Sequence, residues 1–245
     1  SGYYDWVDRP SSQREIKHNR ILKEIKRIHK KHPVWGVDPI WAEVKEIIPC
    51  SRNTVYSIMK KNGIKSKRKA KWKATTNSNH NLAVAPNLLE QNFDIKVPNT
   101  VWVGDITYHW TEEGWLYTAI VKDLCTKDVV GYAMSDRMTK ELVIKAMEMA
   151  LKREKPSAGL IFHSDRGSQY CSNDFKCLLK AKHISQSMSR KGNPYDNACA
   201  ENFFSCLKCE WTNFYSFRTR EAAKQSIFEY IEVYYNRQRR HAALG

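Results

Sequence analysis

Asp105 stands inside the apolar run Trp102-Val103-Gly104-Asp105-Ile106-Thr107-Tyr108. Burying a carboxylate in such a segment costs several kcal/mol unless another group pairs with it or it holds a cation. Whatever fold the chain adopts must therefore bring a partner to the middle of a strand. The alternation around this point predicts strands over 101–108, 115–122 and 128–134, with Gly114 turning the first hairpin. A helix is expected over 139–153, a strand over 159–163, a helix over 173–180 and a short strand over 184–187. Residues 196–210 and 219–237 have helical spacing. Three strands, a helix, a strand, a helix, a strand and then helices is the order of a ribonuclease-H-like α/β fold. Order alone also admits other α/β layers.

Two further acids fall at places where such a fold puts ligands. Asp165 follows Leu160-Ile161-Phe162 at a strand's carboxyl end, where Gly167 and Ser168 allow a tight turn. Glu201 shares a helix face with Asn197 and Lys208, while Ala200, Phe203 and Leu207 form the packing face. Taken singly, these acids read as a structural strand acid, a turn former and a surface helix acid. Taken together, the three carboxylates suit two divalent ions about 4 Å apart. Hard oxygen ligands favour Mg²⁺ over zinc. His163 reads as a base, a metal neighbour or a hydrogen-bonded support. Gln169 and Tyr170 read equally as DNA contacts or as loop packing.

Lysine plus arginine number 41 against 26 acids, a net charge of +15. That imbalance points to a polyanionic partner, nucleic acid or an anionic membrane surface. No apolar run is long enough to predict a transmembrane helix, and the first ten residues lack an apolar signal region. Seven irregularly spaced cysteines read as free thiols in a reducing cell. Cys206 and Cys209, with Cys199, lack the second pair that a closed zinc site needs.

Residues 10–63 read as a helix-turn-helix-like module, with a plain three-helix bundle as the alternative. Ile21, Ile25 and Ile28 mark its first helix. Asp38-Pro39 is expected to start the second, Ser51 to cap the third and Gly63 to close it. Residues 64–99 read as a basic linker. Lys60, Lys61, Lys65, Lys67, Arg68, Lys69, Lys71 and Lys73 place eight positive residues in fourteen positions with no acid. Phosphate contact is expected there, with Trp72 as a stacking platform; a solvated linker is the plainer reading. Arg190 and Lys191, just before the Glu201 helix, are expected on phosphates, with a solvated loop as the alternative. The run from Tyr235 through Arg237 to His241 either tracks a DNA backbone or finishes a scaffold helix. Asp196 is expected to cap the Glu201 helix.

Four blocks carry a family resemblance: the Asp105 run, His163-Ser164-Asp165-Arg166-Gly167-Ser168-Gln169-Tyr170, Asn193-Pro194-Tyr195-Asp196-Asn197-Ala198 with Glu201-Asn202-Phe203-Phe204, and Tyr234-Tyr235-Asn236-Arg237 with His241. Thirty-five residues separate Asp165 from Glu201. In these features the chain resembles the catalytic part of transposases of the copy-out–paste-in bacterial insertion sequences, within the retroviral-integrase superfamily. The resemblance implies a ribonuclease-H-like integrase core over 100–245 and a catalytic, metal-holding triad of Asp105, Asp165 and Glu201. It implies two Mg²⁺ ions, replaceable by Mn²⁺, end nicking, and strand transfer by the freed 3′-hydroxyl through a bridged and then circular intermediate. Lys208, seven residues after the glutamate, matches a residue used near the DNA end. The implied partners are double-stranded DNA, as element ends and target, and further copies of the chain on it. No membrane is implied, and the implied location is the bacterial cytoplasm with its nucleoid.

The block Trp35-Gly36-Val37-Asp38-Pro39-Ile40 departs from the family, which commonly carries arginine there. The family's upstream helix-turn-helix and zipper are not visible. With a start at Ser1-Gly2 and an end at Gly245, the chain reads as a trimmed or processed product, a fragment or a downstream-frame product. Two other function classes remain open at this level: a non-catalytic DNA-binding regulator or accessory subunit, and a ribonuclease-H-like nuclease. Neutralising three residues among Lys65, Lys67, Arg68, Lys69, Lys71 and Lys73 is expected to weaken DNA binding. It should also flatten the salt dependence by about 0.9 for each duplex phosphate that the variant leaves unneutralised. A titration series in salt checks this, and an unchanged slope refutes the role.

Overall fold

The computed structural model describes residues 12–67, 82–191 and 193–241. The chain divides near residue 68 into two compact units. The first holds α1 (Gln13–Lys31), α2 (Val37–Ile47) and α3 (Arg52–Lys61). Ser12 and Ser51 cap α1 and α3, accepting from the amides of Glu15 and Thr54 at 3.2 Å each. Ile21, Ile25 and Ile28 are buried against Ile40, Val44, Val55 and Ile58.

Gly63 ends α3 with φ +66°, its amide bonded to the Lys60 carbonyl and the Ile64 amide to the Met59 carbonyl. This is the paired-bond termination that an αL glycine permits, and Ile64 packs back onto the core. The start of α2 differs from expectation. Gly36 takes the cap, and Asp38 in the first turn gives its carboxylate to Arg52 at 2.5 Å. Residues 64–67 also fold back: Ser66 Oγ donates to the Val34 carbonyl at 2.6 Å and the Lys67 amide to that of Pro33 at 3.0 Å. The side chains of Lys65 and Lys67 are exposed. Arg68, Lys69, Lys71, Trp72 and Lys73 lie outside the described residues.

The second unit is built on β1 (Val101–Thr111), β2 (Gly114–Asp123), β3 (Val129–Ser135), β4 (Ile161–Ser164) and β5 (Ser185–Met188). Their order is β3-β2-β1-β4-β5, an antiparallel meander followed by two strands parallel to β1. Ala119 and Val121 face α4 (Lys140–Glu154) and α5 (Asn173–Ala181). Leu116 and Ile120 face the opposite way, against Phe203 and Leu207 of α6 (Ala198–Glu210) and Ile227 of α7 (Arg220–Glu229). The result is the ribonuclease-H-like sheet with helices on both faces. Among the described residues no helix is long and apolar enough to cross a membrane.

Two sequence expectations are revised. Residues 82–99 pack on this unit as part of its structure. Leu89, with Phe93 and Ile95, joins Val101, Val103, Leu124 and Ala200 in one cluster. The Met188 amide reaches the Pro86 carbonyl, and the Leu88 amide reaches Ser187 Oγ. Leu89, Phe93 and Ile95 keep no single helical or strand spacing, which hides this in the sequence. The helix expected over 219–237 ends at Glu229 and widens into a π turn, Tyr230–Tyr235. The wider turn buries Tyr230, Ile231, Tyr234 and Tyr235 together.

Gly131 of β3 lies directly under α4. A Cβ there would overlap the Ala146 carbonyl oxygen and sit 2.7 Å from the Ala150 amide nitrogen, which belongs to helix backbone and has little room to move. Gly131→Ala is expected to destabilise the second unit by about 1–3 kcal/mol in urea unfolding. A neutral result would mean that α4 is free to lift from the sheet.

Candidate active site

β1 and β4 pair in parallel from Val101 opposite Ile161 to Gly104 opposite Ser164. The next residues are Asp105 and Asp165, so the ladder's end sets two carboxylates at neighbouring positions. Gly104 allows this close approach: a Cβ there would overlap the Phe162 ring, with Cε2 at 2.9 Å. Each aspartate is oriented locally. Asp105 Oδ1 accepts from the Ile106 amide at 2.8 Å, and Asp165 Oδ1 from the Gly167 amide at 2.9 Å.

Burial, then the charge of Asp165, holds the Asp105 carboxyl well above the usual carboxylate range. Glu201 adds to this, while the Ile106 amide and the Lys208 ammonium oppose it. Glu201 stands in the first turn of α6 and is itself raised by desolvation and by Asp165. Lys208, two turns further on, is lowered by burial and partly restored by Asp105. Its ammonium lies 5.3 Å from the centre of the Tyr108 ring. Groups from β1, the end of β4 and α6 thus act on one another.

Among the described residues no group of three His, Cys, Asp or Glu side chains closes into a metal site. The three carboxylates meet as interacting charges without forming a closed ligand shell. Mutual repulsion between Asp105 and Asp165, opposed at Asp105 by the Ile106 amide and then by Lys208, is the condition a divalent cation relieves. The all-oxygen donor set fits a hard cation.

The other sequence candidates fall in several places. His163 is fully buried and satisfied, Nδ1 lying 2.8 Å from Ser187 Oγ and Nε2 3.2 Å from Ser189 Oγ. Gln169 donates to the Met138 carbonyl at 3.1 Å. Asn197 is buried rather than turned outward with Glu201 and Lys208, and its Oδ1 has no hydrogen-bond partner among the described residues. Lys191 and Arg237 are exposed. Arg190 turns its fork inward: Nε and Nη2 reach the Asp196 carboxylate at 3.0 and 2.9 Å.

Asp196 is therefore not the cap of α6 that the sequence suggests. Its buried carboxylate also accepts from the Arg190 amide, Asn87 and Gln91. Asn193 caps the short 3₁₀ turn Pro194–Asn197 ahead of α6, accepting from the Tyr195 amide at 3.1 Å, and α6 itself starts after Asn197 without a side-chain cap. Sequence reasoning missed this lock because its partners Asn87 and Gln91 are about a hundred residues away. It also missed His109, buried on β1 with Nε2 unpartnered among the described residues and pushed down to about 3 by burial and by Lys208.

Comparison with known proteins places this geometry. Models described as "Integrase core domain" match residues 96–194 and 182–245, and one described as "HTH-like domain" matches 17–72. Over its whole length the chain is 49% identical to "Insertion element IS600 uncharacterized 31 kDa protein" of Shigella sonnei, covering 91% of that protein. It is 39% identical to "Transposase InsF for insertion sequence IS3A" of Escherichia coli (strain K12), again over its whole length and 86% of the relative. The chain belongs to the insertion-sequence transposases with an integrase core. As such a transposase it is a DDE-type polynucleotidyl transferase acting on DNA ends. Among solved structures, the transposase is similar to a chain in a simian T-cell lymphotropic virus intasome, with TM-score 0.48 and 14% identity. That match covers 85% of this chain and 69% of the other.

Arg190 beside Asp196 holds that carboxyl well below its usual range. A group depressed on folding stabilises the fold above its unfolded pKa, and that contribution disappears as pH falls towards the folded value. Asp196→Asn is therefore expected to lower the melting temperature at pH 7 and to flatten its decline in acid. Melting curves between pH 3 and 7 check this. An acid limb unchanged from wild type would rule out the lock.

Proposed function

We propose that Asp105, Asp165 and Glu201 are the catalytic carboxylates of this transposase and together hold two Mg²⁺ ions, for which Mn²⁺ substitutes. The observation that carries the reading is the mutual electrostatic dependence of these three acids and Lys208. Bound divalent ions would activate the attacking oxygen and neutralise charge on the leaving oxygen. The chain's own residues supply position. The amides of Ile106 and Gly167 orient the two aspartates, and α6 carries Glu201 over them. Lys208 binds a phosphate of the element end. Exposed Lys191 and Arg237 hold the duplex backbone, as do Lys65, Lys67 and Arg68 at the end of the first unit and Lys69, Lys71 and Lys73 just after it in sequence. Asn197 and Arg190 support the turn that leads into Glu201.

Two substitutions at phosphorus follow. Water attacks the phosphodiester at the element end, the bond to the 3′ oxygen breaks, and a 3′-hydroxyl is freed beside a 5′-phosphate. That hydroxyl then attacks a second phosphodiester, forming a new bond and displacing another 3′ oxygen. The first joining bridges the two ends of the element, and a later one inserts the circle into target DNA. Holding two ends at once calls for at least two copies of the chain on DNA. The reading places the protein in the bacterial cytoplasm.

Labelled duplexes carrying the ends of the element that encodes this chain test the reading. Asp105→Asn, Asp165→Asn and Glu201→Gln are each expected to reduce nicking and joining by about 10²–10³-fold or more. Binding to the same duplex without divalent metal should persist. Variants that cut at the wild-type rate would place the chemistry elsewhere.

A further inference from the structure

Tyr170 is 2% exposed, and its hydroxyl has no hydrogen-bond partner among the described residues. An orphaned buried hydroxyl costs about 1–3 kcal/mol. Phenylalanine would fill the same space without that cost. The ring is tightly held, with the Phe162 ring 5.9 Å away and the Phe175 ring 5.5 Å away and nearly perpendicular.

The ring is held by the elements that carry the two aspartates. Phe162, which packs on the Tyr170 ring, is the residue that fills the space left by Gly104, next to Asp105. The Tyr170 amide bonds to the Gly167 carbonyl at 3.0 Å, so the ring is carried by the turn whose Gly167 amide orients Asp165. A Cβ on Gly167 would lie 3.0 Å from Asp165 Oδ1 and 3.7 Å from Tyr170 Cδ2, so carboxylate and ring flank one point. The charges of Asp105 and Asp165 reinforce burial in holding the phenol well above its ordinary range.

We propose that Tyr170 is a positioning residue whose O–H donates a hydrogen bond to the Asp105–Asp165 carboxylate pair when that pair takes up its cations. A bond to an ionised acceptor is about twice as strong as a neutral one. This inference rests on the assignment of the two aspartates as the metal-holding pair.

The test uses the full chain as wild type, Tyr170→Phe and Asp105→Asn. Thermal unfolding is measured without divalent metal and across a Mg²⁺ series, with end cleavage followed over the same series. Tyr170→Phe is expected to melt at the wild-type temperature or higher without metal and to bind DNA normally. Its Mg²⁺ midpoint, for both thermal shift and cleavage, should rise about tenfold, as for loss of a group supporting a metal ligand. An unmoved midpoint overturns the proposal, whatever happens to the rate. A melting temperature that falls without metal overturns it in favour of packing. If wild type shows no Mg²⁺ shift, or Asp105→Asn keeps one, the assignment of the aspartates itself fails.

Discussion

Four residues of parallel pairing between β1 and β4 govern the second unit. The pairing ends where Gly104 meets Ser164, and the ring of Phe162 fills the space a larger residue at 104 would need. That ending leaves Asp105 and Asp165 side by side with no further ladder between them. The aromatic packing beneath them, from Phe162 through Tyr170 to Phe175, is what makes so close a placement of two acids mechanically possible.

The third acid depends on a different restraint. α6 carries both Glu201 and Lys208, and it is tied at each end by a buried carboxylate. Near its start Asp196 gathers Arg190, Asn87 and Gln91. At its end Glu210 takes Nε and Nη2 of Arg239 at 2.8 and 2.9 Å. Both ties are charge pairs reinforced by further hydrogen bonds to the carboxylate. At the site, by contrast, Asp105 lies under the like charges of Asp165 and Glu201.

Much of this was legible in the chain. Asp105 within an apolar strand, Asp165 just past one and Glu201 opposite a helix's packing face each follow from short-range pattern. The order of strands and helices did the same for the fold. What escaped was set by distant partners or by shape. Asp196 resembled a cap because its immediate neighbours are turn residues. Arg190 looked available for phosphate because nothing within a few residues, other than that supposed cap, claimed it. Leu89, Phe93 and Ile95 show no helical or strand period, so their burial follows from the surface they cover. The π turn at Tyr230–Tyr235 needs one residue more than a helical repeat, and aromatic crowding alone does not announce it.

The repulsion between Asp105 and Asp165 bears on the inheritance of this protein. Because Asp105 is raised by burial and by the like charge of Asp165, its burial detracts from folding. If the proposed assignment holds, a copy that loses Asp105 relieves that burial as it loses its chemistry, a local case of the trade between stability and activity. On the proposed assignment, a copy inactivated at Asp105 is not expected to be removed by misfolding and persists as a folded protein. Such a silent copy, still able to occupy the ends of the element, would restrain its active siblings without any residue having been selected for that purpose.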